Sequence, residues 1–428
     1  MAPLKILICG GGIAGNSLAY WLSKLNHDVT VIERFPKMRT TGLQVDLRGP
    51  GIEIMRRMGL EEAFRAKSID EPGLKIVDSS DRCWAYFKAN KTGKGPQSFT
   101  SDFEILRGDL CQLLHDATGD GVNYMFGKYV ERFEEKEDHI EVLFSDTQTD
   151  RFDLLVGADG QGSCTRKMML GRGVVDPIHH IGMNIGYFTM PWPMQEGEGY
   201  EARLYIAPGR RAILTRRHNP HQIQAYLQVS GKDRAEQLDI ARKGGVMELK
   251  QAVAEIFRGA GWKTEELLKG LEDSEDFYCE SLGLVKMESW SNERVVLVGD
   301  AAYCPSASTG MGTTCGIVGA YILAGEIGKY CQGVEAKKGL PMALKAYDDR
   351  FRPFMNQVQH GIVESAPLWQ RMFPSTWLAI AIVNLLLAIA TFLRLDLLGR
   401  FVLREDVKDW SLPDNEEMVH GMHADETE

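Results

Sequence analysis

The chain has 428 residues, 44% of them hydrophobic and 25% charged, as in a globular protein large enough for more than one domain. Its formal net charge of −10 argues against nucleic acid or an anionic lipid surface as an electrostatic partner. Eight scattered cysteines, without a CxxC pair or a Cys/His spacing typical of metal ligands, indicate reduced thiols in an intracellular, cytoplasmic protein and no metal site.

The first predicted elements form a βαβ unit. Residues 5–9 are a short apolar run that ends in glycines, as a buried parallel strand does. Residues 13–25 have the apolar spacing of a helix, and residues 28–33 form a second apolar strand that ends in an acid. This order predicts the opening of a nucleotide-binding α/β domain.

The turn of this unit carries the sequence GGGIAG, with glycines at Gly10, Gly12 and Gly15. Glycines there allow a tight turn and let backbone amides approach a pyrophosphate at the positive end of the helix. Glu33 follows roughly 20 residues later, where a carboxylate binds the ribose hydroxyls of the adenosine. The unit therefore predicts dinucleotide binding, without distinguishing NAD from FAD.

Two later apolar strands, residues 152–156 and 294–298, also end in Gly/Asp turns. The turns are GADG, which contains Asp159, and GDAA, which contains Asp300 and is followed by Pro305, Gly310 and Gly312. A simple dehydrogenase needs no further turns of this kind. An extended FAD does need a carboxylate for its ribityl hydroxyls and backbone amides near its ring, and a helix after Gly312 would direct its positive end at the flavin.

The pattern between these turns alternates apolar and polar residues and predicts an antiparallel sheet over residues 180–190, 200–206, 211–216 and 223–229. A long helical stretch, residues 236–258, follows it. The sequence therefore predicts an α/β fold: a Rossmann-like FAD-binding domain with an inserted antiparallel β-sheet substrate domain and a C-terminal helical segment.

Together these motifs resemble the single-component FAD-dependent aromatic hydroxylase family, the p-hydroxybenzoate hydroxylase-like enzymes. The glycine loop, GADG and GDAA-x-x-P all match, over roughly residues 1–355, and ILRGDL at 105–110 resembles a fourth family feature. Residues 39–51 are most similar to the tetracycline-inactivating and fungal secondary-metabolite branches. The sequence departs from the family at Thr313-Thr314, where an Asn is common.

The resemblance implies a set of cofactor contacts beyond the three turns: Arg34, Arg39, Asp46, Arg107 and Thr313. Arg107 would contact FAD, Asp46 would lie near the flavin, and Arg39 would help to receive the phosphates of the nicotinamide cofactor. Arg39 and Arg107 could instead be solvated surface arginines without a role in cofactor binding. The resemblance also implies that NADPH or NADH reduces FAD and that O2 then oxidises a small aromatic or polyketide-like molecule in a site that excludes water.

The predicted antiparallel sheet supplies the substrate-side candidates. Arg203 and Tyr226 are predicted as catalytic residues, because an arginine holds a phenolate and a tyrosine orients a substrate by hydrogen bonding. Tyr187 and Tyr205 are predicted as substrate contacts. Strand aromatics are more often core residues, and Arg203 has the alternative of a solvated cation.

The predicted division assigns residues 1–75, 100–175 and 286–350 to the FAD-binding domain, 76–99 and 176–285 to the substrate domain, and 351–428 to C-terminal helices and an acidic tail. Residues 377–393 are strongly apolar but shorter than a bilayer core, so a packed helix is favoured over membrane contact. Two functional alternatives stay open: a flavin-dependent halogenase, although the WxWxIP motif is missing, and a non-catalytic FAD- or metabolite-binding protein. A monomer or a dimer fits equally.

Overall fold

The computed structural model describes residues 3–39, 42–89, 103–393, 407–415 and 418. Its strands are, in chain order, β1 Lys5–Cys9, β2 Asp28–Glu33, β3 Gln44–Asp46, β4 Gly73–Val77, β5 Cys83–Lys88, β6 Glu104–Leu106, β7 Val122–Phe126, β8 Val130–Glu135, β9 Ile140–Phe144, β10 Thr149–Phe152, β11 Leu154–Gly157, β12 Ile178–Pro191, β13 Ala202–Ala207, β14 Arg211–Asn219, β15 Gln222–Ser230, β16 Tyr278–Val285, β17 Ser291–Asn292 and β18 Val295–Leu297. Its helices are α1 Ile13–Lys24, α2 Pro50–Arg57, α3 Glu61–Ala66, α4 Arg107–Asp116, α5 Cys164–Leu170, α6 Lys232–Gly244, α7 Val246–Phe257, α8 Thr264–Asp273, α9 Asp300–Tyr303, α10 Gly312–Tyr330, α11 Leu340–Gln359, α12 Ile362–Met372 and α13 Trp377–Phe392.

A six-stranded sheet forms the first layer, in the order β17–β18–β11–β1–β2–β7. Five of its strands are parallel, and only the short edge strand β17 is antiparallel. The strands are continuous apolar runs because helices cover one face and the small sheet of β8, β9 and β10 covers the other. α1 and α10 lie side by side in the largest core cluster, which places the first and third glycine turns at the same sheet edge.

A seven-stranded sheet forms the second layer, in the order β16–β12–β15–β14–β13–β4–β5. Its pairs are antiparallel except for β13 with β4. One face packs against α7 and α8 through a separate core that includes Phe188, Leu227, Val253 and Phe257. The other face meets the segment that precedes β3, since Gln224 on β15 donates to the carbonyl of Gly42 (3.2 Å).

The predicted helix at 236–258 is wrong in one respect, because the structure divides it into α6 and α7. The break falls at Gly244-Gly245, where Gly245 has a φ of 118° that a residue with a side chain rarely adopts. A small antiparallel sheet of β8, β9 and β10 was also not predicted.

The C-terminal helices join the two layers. The Gln359 amide at the end of α11 donates to the carbonyls of Val285, Tyr303 and Cys304 (2.9–3.0 Å), and Gln370 on α12 donates to Ile181 O (2.6 Å). α13 lies against β5 and leaves several large apolar side chains exposed. Among the helices of the described ranges, none is both long and apolar enough to cross a bilayer.

The structure confirms the predicted fold class, a Rossmann-like α/β unit with an antiparallel sheet inserted after the second Gly/Asp strand and helices at the C-terminus. β4 and β5 join the second sheet. Residues 90–99 of the predicted substrate domain and residues 100–102 of the predicted FAD-binding domain lie outside the described residues. Residues 394–406 and most of the acidic tail also lie outside them. The exact division of the chain into domains stays a prediction.

Candidate active site

The first and second glycine turns are in direct contact at the ends of β1 and β11. Gly10 has a φ of 114°, and a Cβ added there would lie 2.6 Å from the carbonyl oxygen of Ala158. A Cβ on Gly15 would overlap the carbonyl oxygen of Gly10. A Cβ on Gly12 would meet nothing within 4 Å, so the backbone there borders open space. Two of the glycines therefore serve close packing and the third leaves room for a ligand.

The third turn packs against the first through Ala14 at the start of α1. A Cβ on Gly299 would lie 2.8 Å from the Cβ of Ala14, and one on Gly316 would lie 3.4 Å from it. Asp300 begins α9, Pro305 is buried behind it, and Gly310 adopts a φ of 65°. Gly312 and the half-buried Thr313 form the first turn of α10, where backbone amides lack acceptors within the helix.

Asp159 in the second turn is occupied by its own chain. Its carboxylate accepts from the Ser163 hydroxyl (2.5 Å), the Cys164 amide (2.9 Å), and both the amide and the hydroxyl of Thr165 (3.0 and 3.1 Å). These bonds hold the start of α5. The carboxylate of Asp159 therefore accepts more hydrogen bonds from its own chain than that of Asp300, the other motif carboxylate. Asp159 therefore shapes the turn, and its contact with FAD stays a prediction.

Arg166 ties the second turn to the third, a role that sequence reasoning did not assign. Its fully buried guanidinium pairs with Asp176 (2.7 Å) and donates to the carbonyls of Ala301 (2.8 Å) and Gln161 (2.6 Å). Because Ala301 follows Asp300, this contact fixes the position of the Asp300 backbone.

Charged side chains surround the space in front of the three turns. Glu33 ends β2, and its carboxylate accepts from the amides of Gly11 (3.0 Å) and Phe35 (3.1 Å). Burial lowers the pKa of Arg39, and the like charge of Arg107 lowers it further. Arg34 is exposed and lies over the Phe35 ring at 5.1 Å.

Two acids face Arg107 from opposite layers. Burial raises the pKa of Glu280 on β16 to about 7; the Asp300 carboxyl adds to this rise and Arg107 opposes it. Burial likewise raises the pKa of Asp300, again opposed by Arg107. Glu280 was not predicted as a site residue, because alternation along a strand does not by itself say which face meets the cofactor.

Three tyrosines line the inner face of the second sheet. Tyr187, Tyr226 and Tyr278 are direct cross-strand partners on β12, β15 and β16. The ring of Tyr187 stacks on Tyr278 at 4.8 Å and meets Tyr226 edge-on at 5.3 Å. Arg39 lies 5.9 Å from the Tyr278 ring, so the aromatic face directly adjoins the charged space. Burial raises the pKa of Tyr226 to about 12, and its hydroxyl donates to Gln224 (3.2 Å).

Arg203 and Tyr205 do not share this face. Both point to the opposite side of the sheet, where the Tyr205 hydroxyl donates to Ala260 O (2.9 Å) within the α7–α8 core. Arg203 forms ion pairs with Asp81 (2.8 Å) and Glu198 (3.4 Å). The structure thus places Arg203 and Tyr205 on one face of the sheet, and Tyr187 and Tyr226 on the opposite face, which Arg39 approaches at Tyr278.

A buried cluster of charges connects the inner face to β3. Arg216 pairs with both oxygens of Glu71 (2.8 Å each) and with Glu104. Asp46, the cross-strand partner of Glu104, pairs with Arg48 at 2.6 Å. The Arg48 amide donates to the Thr314 hydroxyl (2.9 Å), so this cluster reaches the start of α10.

These residues fit an extended anionic dinucleotide. The space at Gly12 admits a ligand close to the backbone, Arg39 and Arg107 carry like charges that act on each other, and Asp300 offers a carboxyl whose pKa is raised by burial. A pyrophosphate would relieve the repulsion between the guanidiniums, and ribityl hydroxyls would satisfy the carboxyl.

A parallel sheet with three adjoining Gly/Asp turns, faced by an inserted antiparallel sheet, defines an FAD-binding oxidoreductase. The family described as FAD binding domain matches residues 3–361, and the chain belongs to this family. It is 48% identical to the FAD-dependent monooxygenase asL4 of Sarocladium schorii over 98% of this chain and 100% of that one. It is 38% identical to the flavin-dependent monooxygenase eupH of a Phoma species, over 83% and 85% of the two chains.

Among solved structures, the tetracycline destructase Tet(51) superposes with a TM-score of 0.72 at 28% identity, covering 96% of this chain and 99% of that one. These matches confirm the resemblance inferred from the motifs, FAD as the cofactor, and an enzyme of the FAD-dependent monooxygenase type. They give no support to the halogenase alternative.

Proposed function

We propose that this enzyme uses NADPH or NADH and O2 to insert one oxygen atom into a small aromatic or polyketide-like molecule in secondary metabolism. The observation that carries the proposal is the tyrosine-lined face of the second sheet, which Arg39, a predicted cofactor contact, approaches at Tyr278. Fungal relatives named as monooxygenases and a neighbour named for tetracycline support a substrate of this class.

In this proposal the first layer of the fold binds the cofactor and the second layer binds the substrate. The amides around Gly10, Gly12 and Gly15 would hold the pyrophosphate, with Glu33 at the adenosine ribose and Asp300 at the ribityl chain. The start of α10 would place a positive field at the flavin ring. Bound FAD supplies the redox chemistry that side chains lack, accepting electrons from NAD(P)H and delivering them to O2.

The second sheet would bind the substrate and exclude water. Tyr187 and Tyr226 are both buried, and their rings form an apolar wall with hydroxyls at its edge. An apolar wall keeps out water that would divert reduced oxygen to hydrogen peroxide. The Tyr226 hydroxyl, beside Arg216 and Gln224, would orient a phenol or enol group by hydrogen bonding.

The test is substrate-stimulated NAD(P)H oxidation by the FAD-loaded enzyme, with O2 uptake and a product heavier by one oxygen atom. Phenolic and polyketide compounds are the candidates. We expect Tyr226→Phe to lower kcat/KM about tenfold, the effect of one hydrogen bond. Tyr205→Phe, which removes a hydroxyl on the opposite face, is the matched control and should keep wild-type turnover. FAD-loaded protein that no compound stimulates would refute the proposal.

A further inference from the structure

Four polar side chains on the inner face of the second sheet form no hydrogen bond or ion pair with the part of the chain that the structure describes. They are the carboxyl of Glu280, the amide of Gln228 and the hydroxyls of Tyr187 and Tyr278. In register, Tyr187 pairs with Tyr278, and Ile185 in the next row lies between Gln228 and Glu280. Because side chains alternate along a strand, both rows point to the same face. We call these four residues the polar patch.

The strand that carries Glu280 is hydrogen-bonded to the second and third glycine turns. β16 is the edge strand of its sheet, so the carbonyls along its outer side need donors from elsewhere. Gln161, which follows the GADG turn, donates to Ser281 O (3.1 Å), and Cys304, which follows α9, donates through Sγ to Gly283 O (3.5 Å). Glu280 therefore lies one residue from a direct contact between the second sheet and the GADG turn.

The surroundings of Glu280 are apolar on one side and charged on the other. Ile185, its cross-strand partner, packs in a small apolar cluster with Ile362, Val363 and Ala366 of α12. Burial raises the pKa of Glu280 to about 7; Asp300 on α9 adds to this rise and Arg107 on α4 opposes it. The other titratable groups that interact with Glu280 electrostatically are Tyr187, Tyr278, Cys279 and Cys304. A carboxyl with this pKa is an effective base at neutral pH.

The polar patch also indicates what kind of group binds at Glu280. Once a ligand displaces water, a half-buried carboxylate without a hydrogen-bond donor is costly, so the ligand must supply that donor. A tyrosine hydroxyl or a glutamine amide can either donate or accept, whereas an ionised carboxylate only accepts. Glu280 therefore selects for a ligand hydroxyl at its own position, and its neighbours are suited to the other oxygen atoms of the ligand.

We propose that Glu280 binds a phenol or enol hydroxyl of the substrate and takes its proton as oxygen is transferred. This inference rests on the proposed monooxygenase function. As the O–H bond of the substrate breaks, an O–H bond forms on the Glu280 carboxylate, and the electron pair stays on the substrate oxygen. The electron density of the neighbouring carbon rises, and that carbon forms the new C–O bond.

The protons and electrons of this step balance. NAD(P)H supplies two electrons through FAD and the substrate supplies two, which together reduce O2 to one inserted oxygen atom and one water. After the transfer two protons remain, one on Glu280 and one from the oxygenated carbon. One of them restores the hydroxyl of the product, and the other goes to the second oxygen atom, which leaves as water. Glu280 is then ionised again for the next turnover.

The first experiment measures binding and needs no turnover. The FAD-loaded full-length enzyme is titrated above pH 7, where the Glu280 carboxyl is ionised, with 1-naphthol and with its methyl ether, 1-methoxynaphthalene, and the change in flavin absorbance is recorded. We expect the wild type to prefer 1-naphthol about 10- to 100-fold, the effect of a hydrogen bond to a charged group. Glu280→Leu should bind both compounds about equally, and Glu275→Gln, which changes an exposed glutamate before β16, should keep the wild-type preference.

The second experiment measures turnover of a phenolic compound that stimulates NAD(P)H oxidation. Glu280→Gln keeps the shape of the side chain and a hydrogen-bond acceptor but cannot hold the proton, so kcat should fall about 100-fold while KM changes by roughly threefold or less. Wild-type kcat/KM should be level above pH 7 and fall about tenfold per pH unit below it, because a protonated carboxyl is no base. In Glu280→Gln this fall should be absent, and Glu275→Gln should follow the wild type.

The two experiments separate this inference from the proposed function. A wild type that shows no preference for 1-naphthol, because it binds both compounds equally or neither, overturns the assignment of Glu280. A wild-type kcat or pH profile in Glu280→Gln overturns its role as a base. If no compound supports turnover, the proposed function fails, yet the binding of the two naphthalenes still decides whether Glu280 recognises a hydroxyl.

Discussion

Gly12 and Gly15 belong to one motif but should fail in different ways when changed to alanine. In Gly15→Ala the new methyl group would overlap the carbonyl oxygen of Gly10, a backbone atom that cannot turn aside. Overpacking of this kind costs typically 1–3 kcal/mol, and a backbone obstacle places Gly15→Ala at about 3 kcal/mol or more. Both folding and FAD binding should therefore suffer.

In Gly12→Ala the methyl group meets no protein atom within 4 Å, and the φ of −82° is open to alanine. We expect a stability loss of at most about 1 kcal/mol in the FAD-free protein, from the poorer helix start. The methyl would instead stand where the pyrophosphate approaches the α1 amides. Losing one charge-assisted hydrogen bond costs about 2–3 kcal/mol, which weakens FAD binding roughly 30- to 100-fold.

The assay pairs urea unfolding of the FAD-free proteins with FAD titration by flavin fluorescence. The wild type should be stable and bind FAD tightly, and Gly12→Ala should be nearly as stable but bind FAD weakly. Gly15→Ala should lose both stability and FAD affinity. If Gly12→Ala binds FAD as tightly as the wild type, the pyrophosphate does not lie at this turn and the assignment of the glycine motif is refuted.

Two further predictions concern buried charges. Arg166→Met removes the bridge between the second and third turns, so the free energy of unfolding in urea should fall by about 3–5 kcal/mol and the variant should retain less FAD. The control Arg172→Met changes an exposed arginine and should stay within about 0.5 kcal/mol of the wild type. Equal losses in the two variants would contradict the bridging role. Burial lowers the pKa of His27 from 6.5 to about 4, and its Nδ1 accepts from the Leu4 amide (3.2 Å). As the pH falls, the imidazole of the unfolded chain is protonated first, so the contribution of His27 to stability is complete above pH 6.5 and should decline by up to roughly 3 kcal/mol toward pH 4. In His27→Asn, the free energy of unfolding measured across this pH range should decline less steeply. An unchanged slope in the variant would show that other groups cause the decline.

Much of the first layer followed from the sequence because its signals are local. The predicted strands at residues 5–9 and 28–33 match β1 and β2 in their bounds, and the predicted helix at 13–25 ends one residue beyond α1. Continuous apolar runs that end in glycine have few alternatives in an α/β fold. The motifs likewise predicted FAD, because each occurs at the end of a buried strand.

The substrate side was harder to predict, because a strand has two faces and the sequence does not say which one meets the cofactor. Tyr205 and Tyr226 look equivalent in an alternating pattern, yet Tyr205 lies under helices and Tyr226 lies on the opposite face beside Gln224. α7 and α8 cover one face of the sheet, and this packing determines which tyrosines lie under helices. The buried ion pairs of Arg216 were missed for a related reason: Glu71, Glu104 and Arg216 come from three separate segments, and only the fold brings them together.

The order of strands in the parallel sheet has a consequence for how the enzyme is made in the cell. β1 lies next to β11, which follows at residues 154–157, but β18, the other neighbour of β11, arrives only after the whole second sheet has been synthesised. A ribosome-bound chain therefore exposes the apolar edge of β11 until late in translation, and contacts of such long sequence separation form slowly. FAD therefore binds late in the folding of the newly made protein, and the cellular supply of FAD should determine how much of that protein escapes aggregation.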